Sequence, residues 1–321
     1  MDEHAGHVPV MIDAVLGLLA PASRLVIVDC TAGLGGHSEA LLRAAPETAR
    51  AILIDLDASN LQRARRRLEG FGGRVRYFQA NFGDVKDVLA AADVSRADGL
   101  LADLGVSSSQ LDDPERGLSF QVSGPLDMRL DGDAPGPTAA TVVNTYGERE
   151  LADLIYAYGE ERYSRRIARA IVLERTKHAI ETTGHLADVV VSAFPAVVRT
   201  SGHGVHPATR TFQALRIAVN RELENLERLL SALPEVLSVG GRAAVISFHS
   251  LEDRRVKQAF ARWESTGGAR LLTKKPLQAD ETETRSNPRS RSAKLRGIEK
   301  THDEPHGDAE TQARTGRFGE T

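Results

Sequence analysis

A single cysteine, Cys30, stands in the 321 residues. A lone cysteine excludes an intrachain disulfide and any zinc site built on several thiolates. It closes a short apolar run, "RLVIVDC" (24–30), where a cysteine acts as a small hydrophobe rather than a nucleophile. No apolar run approaches the roughly 18 residues of a membrane span. The start, "MDEHAGHVPVM", lacks the basic-then-apolar order of a secretory signal. A cytoplasmic location with no membrane contact is therefore expected. Neither sign of charge is in large excess. The formal net charge is −3, so a nucleic-acid partner would have to be met by local basic patches. Internal repeats are absent. What is present, 41% hydrophobic and 26% charged residues, suits a soluble globular chain with a core of its own.

The first hundred residues alternate strand and helix patterns. After the first run come "HSEALLRAA" (37–45), "ARAILIDLD" (49–57), "ASNLQRARRRLEGF" (58–71), "RVRYFQANF" (74–82), "VKDVLAAA" (85–92) and "ADGLLADLGV" (97–106). Such alternation predicts an α/β fold with a parallel sheet covered on both faces. The rhythm then changes. Residues 107–136 are rich in Ser, Asp, Gly and Pro, a stretch too long for an ordinary connection. Helical patterns run on to about residue 198, and "ATRTFQALRIAVNRELENLERLLSAL" (208–233) has the spacing of one long amphipathic helix. A strand, "LSVGGRAAVISFHS" (237–250), and a helix, "LEDRRVKQAFARW" (251–263), restore the first rhythm, and the basic segment 285–300 has room for a last strand. The expected organisation is one α/β domain in two parts, 1–108 and 207–300. A mostly helical insertion over 109–206 interrupts it, and a disordered polar tail follows over 301–321.

The stretch "VDCTAGLGGHSEALL" (28–42) is a strand that breaks into glycines and restarts as a helix. Ligands of such sheets bind outside the carboxyl ends of the strands. Gly33, Gly35 and Gly36 permit close backbone approach there, and Ser38 is placed to help cap the helix. A phosphate loop is excluded because no Lys-Ser/Thr pair follows, and Ser38 departs from the small residue of the dinucleotide fingerprint. Asp55 ends the second strand, where a carboxylate accepts both hydrogen bonds of a ribose diol. Dinucleotides and S-adenosylmethionine share that ribose, so Asp55 alone does not choose between them. Asp57 fits better as the cap of the next helix. Asp103 ends the fourth strand, and Phe82, just past the third, is suited either to an adenine face or to the core.

Seven blocks stand in an order that resembles the MraW-type methyltransferases: "HVPVM" (7–11), "TAGLGGHS" (31–38), "DLGVSSSQLDDPERGLSF" (103–120), "GPLDMRLD" (124–131), "YGEERYSRRIARAI" (158–171), "HPATRTFQALRIAVN" (206–220) and "SFHSLEDR" (247–254). The resemblance covers about residues 7–300. It implies a class I (Rossmann-like) S-adenosylmethionine-dependent methyltransferase fold with an inserted helical domain that recognises substrate. It also implies methylation of the N4 amine of a cytosine in 16S rRNA of the small ribosomal subunit. Carried over by position, it places S-adenosylmethionine against Gly35, Gly36 and His37, with Asp55, Phe82, Asp103 and Gln110 completing the pocket. Ser109 departs from the family block, which has proline at that position.

A cytosine amine is a weak nucleophile, so the site must hold it about 3–3.5 Å from the methyl carbon, in line. The site must also offer acceptors for the amine hydrogens. The usual Asp/Asn-Pro-Pro-aromatic block of amino-methyltransferases is absent, since residues 103–106 read Asp-Leu-Gly-Val. The acceptor role is therefore expected of the backbone around Leu104 and of Ser107 or Ser108, with His249 at the rim as a base contact or as a residue fixed by its own loop. Candidate RNA contacts are Arg162, Arg165, Arg166, Arg169 and Arg210. The alternative for the first four is a solvated face paired with Glu160 and Glu161. "RARRR" (63–67) is expected to be plain surface. His203 and His206 lack the carboxylates of a metal site, and no metal is expected. Two competing functions are a nicotinamide-dependent oxidoreductase and a non-catalytic assembly factor that keeps the cofactor pocket. A homodimer is compatible with the chain.

Overall fold

The computed structural model describes residues 9–132, 135–195 and 206–303, without the side chains of Ser108 and Ser109. The expected tail falls at 301–321. Its last residues, 304–321, lie outside the described residues, while Asp303 is anchored by ion pairs to Arg96 and Lys300, each at 2.7 Å.

A short helix α1 (Ile12–Leu19) precedes β1 (Val26–Asp29), α2 (Gly36–Ala44), β2 (Arg50–Asp55), α3 (Ala58–Arg67), β3 (Val75–Gln79), α4 (Val85–Ala91) and β4 (Ala97–Asp103). After the helical region come β5 (Leu237–Ser247), α12 (Ser250–Ser265), β6 (Ala269–Leu271), α13 (Glu281–Ser286) and β7 (Lys294–Lys300). The seven strands lie in the order β3-β2-β1-β4-β5-β7-β6. β1 to β5 pair in parallel, and β7 runs antiparallel between β5 and β6. This is the α/β sheet that the alternation predicts and the resemblance implies. β6 has only three residues, too few to show a period in the sequence.

The strands are apolar in sequence because both of their faces are covered. Alternate residues serve opposite cores. Val28, Ile52, Leu100 and Val245 face one layer with α4, α12 and the helix Glu222–Val236. Ile27, Leu101, Ala244 and Ile246 face the layer of α1 and α2, and Ala51 and Leu53 face that of α2 and α3. Cys30 is buried in the first layer, the small-hydrophobe role expected of it.

Between β4 and β5 the chain leaves the sheet. The helices there are α5 (Ser108–Asp112), α6 (Ala139–Thr145), α7 (Glu148–Gly159), α8 (Ser164–Arg175), α9 (Thr183–Ala193), α10 (Thr209–Asn220) and α11 (Glu222–Val236). The helices from α5 to α10 share a separate core that includes Leu151, Ile155, Ile167, Ile171, Leu186 and Val190. That core continues past residue 206 to Phe212 and Leu215 of α10. The Gly- and Pro-rich stretch folds back on itself at Gly117, whose φ is 65° and where a Cβ would stand 2.1 Å from the Pro125 carbonyl oxygen. Only glycine fits both conditions.

The spacing predicts one helix over 208–233, but the structure breaks it at Arg221, which takes φ 51° as the cap of α10. Tertiary bonds cause the break. Both Asn220 amide atoms are spent on the chain at 128–130, through Met128 O and Leu130 N, each at 2.8 Å. Glu222 turns back to take the Arg216 guanidinium at 2.8 and 3.0 Å. The break sends α10 against α7 and α11 against the sheet.

Candidate active site

The strand order reverses between β1 and β4, and the crevice at their carboxyl ends is where this sheet class receives ligands. The two ends are tied together there, Asp103 N–H donating to Thr31 Oγ1 at 2.7 Å. A cavity of about 470 Å³ opens above them.

The glycine turn starts α2 with Gly35 as its left-handed cap, φ 78°, and no side chain among the described residues caps the first turn. Ser38 does not take that role. Its Oγ donates to Asp29 Oδ2 at 2.5 Å, and both residues are buried. Burial pushes Asp29 up to about 6, against the pull of the Ser38 and Thr31 bonds. Gly36 and His37 line the cavity. Gly35 packs instead against α3, where an added Cβ would lie 3.3 Å from Ala64.

Asp55 stands at the tip of β2. It accepts from Gly33 N–H and from Asp57 N–H, both at 2.8 Å, and from Asn60 Nδ2 at 3.3 Å. Burial raises it to about 6 although these donors favour its charged form. Asp57 caps α3 through Ser59 N–H at 2.9 Å, the role expected of it. Its other oxygen gathers Gln110 Nε2 at 3.1 Å and Arg116 Nη2 at 2.7 Å. Arg116 Nη1 then reaches the Leu130 carbonyl at 2.9 Å. A continuous chain of bonds thus runs from the second strand to the segment that Asn220 holds.

Asp103 faces the cavity from the tip of β4. Its Oδ2 is 3.7 Å from His37 Nδ1, and its buried Oδ1 has no hydrogen-bond partner among the described residues. Burial pushes it up to about 6; His37 opposes this, while Asp29 and Glu252 add to it. His37 Nε2 donates to the Val10 carbonyl at 2.8 Å, which leaves Nδ1 toward Asp103. Phe82 belongs to both expected settings, partly buried against the core and lining the cavity.

Gln110 lines the cavity with its amide already engaged, since Oε1 accepts from Ser107 N–H at 3.0 Å. Ser107 caps α5 and lines the cavity. The Ser108 side chain lies outside the described residues. His249 caps α12, accepting from Glu252 N–H at Nδ1 with Nε2 3.2 Å from Glu252 Oε1. Its loop fixes it, and it also lines the cavity, so it occupies both of its expected settings. Burial alone would raise Glu252; the bonds from His249 and Phe248 N–H and the Arg216 charge outweigh it and hold the carboxyl low. Glu222, His249 and Glu252 bring ligand-type atoms within 4.8 Å of one another. Arg216 holds both Glu222 oxygens, so the group is an ion-pair cluster.

One whole wall is not foreseen from the sequence. Thr209, Phe212, Gln213, Arg216 and Asn220 line the cavity from α10, at the spacing of a single helix face. The same spacing serves a buried stripe equally well, so only the packing separates the two.

Of the candidate RNA contacts, Arg162, Arg165, Arg166 and Arg169 are exposed. No carboxylate among the described residues lies within ion-pair distance of them. The expected partners are engaged elsewhere: Glu160 holds Ser250 and Arg254 Nη2, the latter at 2.9 Å, and buried Glu161 accepts from Tyr163 N–H at 2.8 Å. Arg210 is exposed, donates to the Glu160 carbonyl at 3.1 Å and does not line the cavity. Arg65 stacks on Tyr77 at 4.3 Å and Arg67 pairs with Glu39 at 2.6 Å. His206 stacks on Phe120 at 4.7 Å; His203 lies outside the described residues.

The model of the MraW methylase family matches residues 4–301. The ribosomal RNA small subunit methyltransferase H of Syntrophobacter fumaroxidans is 47% identical over 309 residues, covering 92% of this chain and 96% of its own. The proteins of that name from Sorangium cellulosum and Cyanothece sp. are 51% and 50% identical, covering 90% of this chain and 89% and 93% of theirs.

Proposed function

The chain belongs to the MraW methylase family, and from that membership we infer an S-adenosylmethionine-dependent enzyme that methylates the N4 amine of a cytosine in 16S rRNA. The observation that carries this reading is the match across nearly the whole chain to proteins named for small-subunit rRNA methylation. No described helix is long and apolar enough to cross a membrane.

The crevice suits the donor. A buried Asp103 oxygen with no hydrogen-bond partner among the described residues is the group to receive the donor's ammonium. Asp55, held by Gly33 and Asn60, is the group for the ribose diol. Phe82 flanks the adenine, Gly36 and His37 flank the methionine portion, Gly35 shapes that turn, and Gln110 closes the pocket from the α5 side. Bound there, S-adenosylmethionine supplies an electrophilic methyl carbon on sulfur. The protein's task is positional: to hold the cytosine amine in line and to exclude water. Ser107, Ser108 and the backbone around Leu104 are assigned to the amine's surroundings. His249 is assigned to the cap of α12 rather than to a chemical step.

The helical unit, with the exposed arginines 162, 165, 166 and 169 and with Arg210, is assigned to the RNA backbone of the small subunit. Phosphate contacts position the substrate without reading its sequence. The test is transfer of labelled methyl to small subunits from a strain lacking the gene, with the modified nucleoside identified. N4-methylcytidine is the expected product; label on a cytosine carbon or on protein would sink the reading.

A further inference from the structure

The cavity wall formed by α10 has a polarity that the donor does not use. Gln213 and Arg216 line it one helical turn apart, a spacing that brings Cβ atoms within about 5–6 Å. The Gln213 amide has a fixed sense: Nε2 donates to the Tyr158 carbonyl at 3.0 Å. A carbonyl accepts only, so the nitrogen is there and Oε1 is the remaining acceptor. No donor among the described residues reaches it. Arg216 is fixed in the same way. Nε and Nη2 are spent on Glu222 at 2.8 and 3.0 Å, which leaves the Nη1 donors. Phe212 of the same helix and Phe248 after β5 line the cavity beside them as apolar surfaces.

Along this wall an acceptor is therefore followed by a donor. The Watson–Crick edge of cytosine presents an amine donor followed by the ring N3 acceptor. Uracil presents the reverse, a carbonyl oxygen followed by an N–H. We propose that Gln213 and Arg216 read the edge of the target cytosine, with Gln213 Oε1 accepting a hydrogen of the reacting amine and Arg216 Nη1 donating to N3. The assignment rests on the methyltransferase reading above and adds to it the source of base selectivity. In the step itself, the N4 lone pair forms the new N–C bond as the C–S pair returns to sulfur, and one N4 proton then leaves to water. Gln213 orients the amine by its held hydrogen and takes no proton.

The test is single-turnover transfer by the full-length enzyme to unmethylated small subunits, with donor affinity measured by calorimetry. Gln213→Leu keeps the volume and removes the acceptor. It is expected to lower the transfer rate about 100-fold while donor affinity stays within twofold. Gln213→Glu keeps an acceptor but sets a carboxylate against the Tyr158 carbonyl. If the side chain serves only structure, this variant is at least as damaged as Gln213→Leu; if it serves the amine, it retains about tenfold more activity. A Gln213→Leu rate within threefold of wild type, or a Gln213→Glu rate below that of Gln213→Leu, overturns the assignment. Should Gln213→Leu lose its cooperative melt, Gln213→Met takes its place under the same thresholds. Wild-type enzyme that makes no N4-methylcytidine overturns the function itself; wild-type product with an unaffected variant overturns the base contact alone.

Discussion

Asp103 and His37 face each other across the crevice at 3.7 Å, each fixed from behind, His37 by the Val10 carbonyl and Asp103 by its backbone bond to Thr31. With Asp29 buried nearby and Asp55 on the next strand end, the crevice concentrates carboxylates that burial pushes up to about 6. A cationic ligand relieves that arrangement, and this has a measurable consequence.

Donor binding is expected to weaken as pH falls through about 6, because protonation removes the charge that Asp103 and Asp55 offer. The sign for the free protein is opposite. Folded pKa values above the unfolded ones mean that these groups stabilise the fold most below about 4 and lose that contribution as pH rises through about 6. Calorimetric titrations of S-adenosylmethionine between pH 5 and 8 read the first effect. Asp103→Asn should flatten the profile and cost at least tenfold in affinity at pH 8; an unchanged profile in that variant removes Asp103 from the donor site.

Arg116→Ala should destabilise the protein by about 2 kcal/mol, less than a fully buried pair because the guanidinium is partly exposed. It should also raise the KM for the donor, since Asp57 shares its oxygen between Arg116 and Gln110. Asp57 has a depressed pKa: burial opposes the shift, but the bonds from Ser59 and Gln110 and the Arg116 charge prevail. Its contribution is therefore present above about pH 4 and fades in stronger acid. Thermal melts of wild type and variant should converge there, and a constant gap down to pH 3 would contradict the link.

Arg166→Glu and Arg169→Glu are expected to weaken binding to small-subunit RNA. The slope of log affinity against log salt should fall by about 0.7–0.9 for each phosphate that the protein no longer neutralises. Donor affinity should not move. Filter binding across a salt series gives both numbers; an unaltered slope in the double variant would assign this face of α8 to bare surface.

His249→Ala should cost about 1 kcal/mol through loss of the α12 cap, and His249→Asn should recover most of it. Methyl transfer under saturating donor should stay within a few-fold in both. A 100-fold loss that His249→Asn does not restore would place the imidazole in the chemistry instead.

How much of this is legible beforehand depends on whether a feature carries its own local signal. The strands around Ile27, Ile52 and Leu100 do, because a strand covered on both faces has to be apolar throughout. Asp57 as a cap is also a local matter. Ser38 misleads because the competing partner, Asp29, is near only once the turn has formed. The break at Arg221 cannot be read from its neighbours, since the residues that enforce it, Met128 and Leu130, are about ninety positions away. The wall of α10 hides for a different reason: Phe212, Gln213 and Arg216 have the period of an ordinary amphipathic helix, and the period is blind to what lies opposite.

The break at Arg221 also acts as a length gauge. On one side of it α10 belongs to the core of the helical unit and faces the cavity; on the other α11 is locked to the sheet that holds the crevice. One added residue between Asn220 and Glu222 would slide the first against the second by about 1.5 Å and leave both cores intact. A misplacement of about 1 Å already costs in-line transfer about 100-fold. Such an insertion should yield a protein that folds, takes up donor and RNA, and leaves the RNA unmethylated.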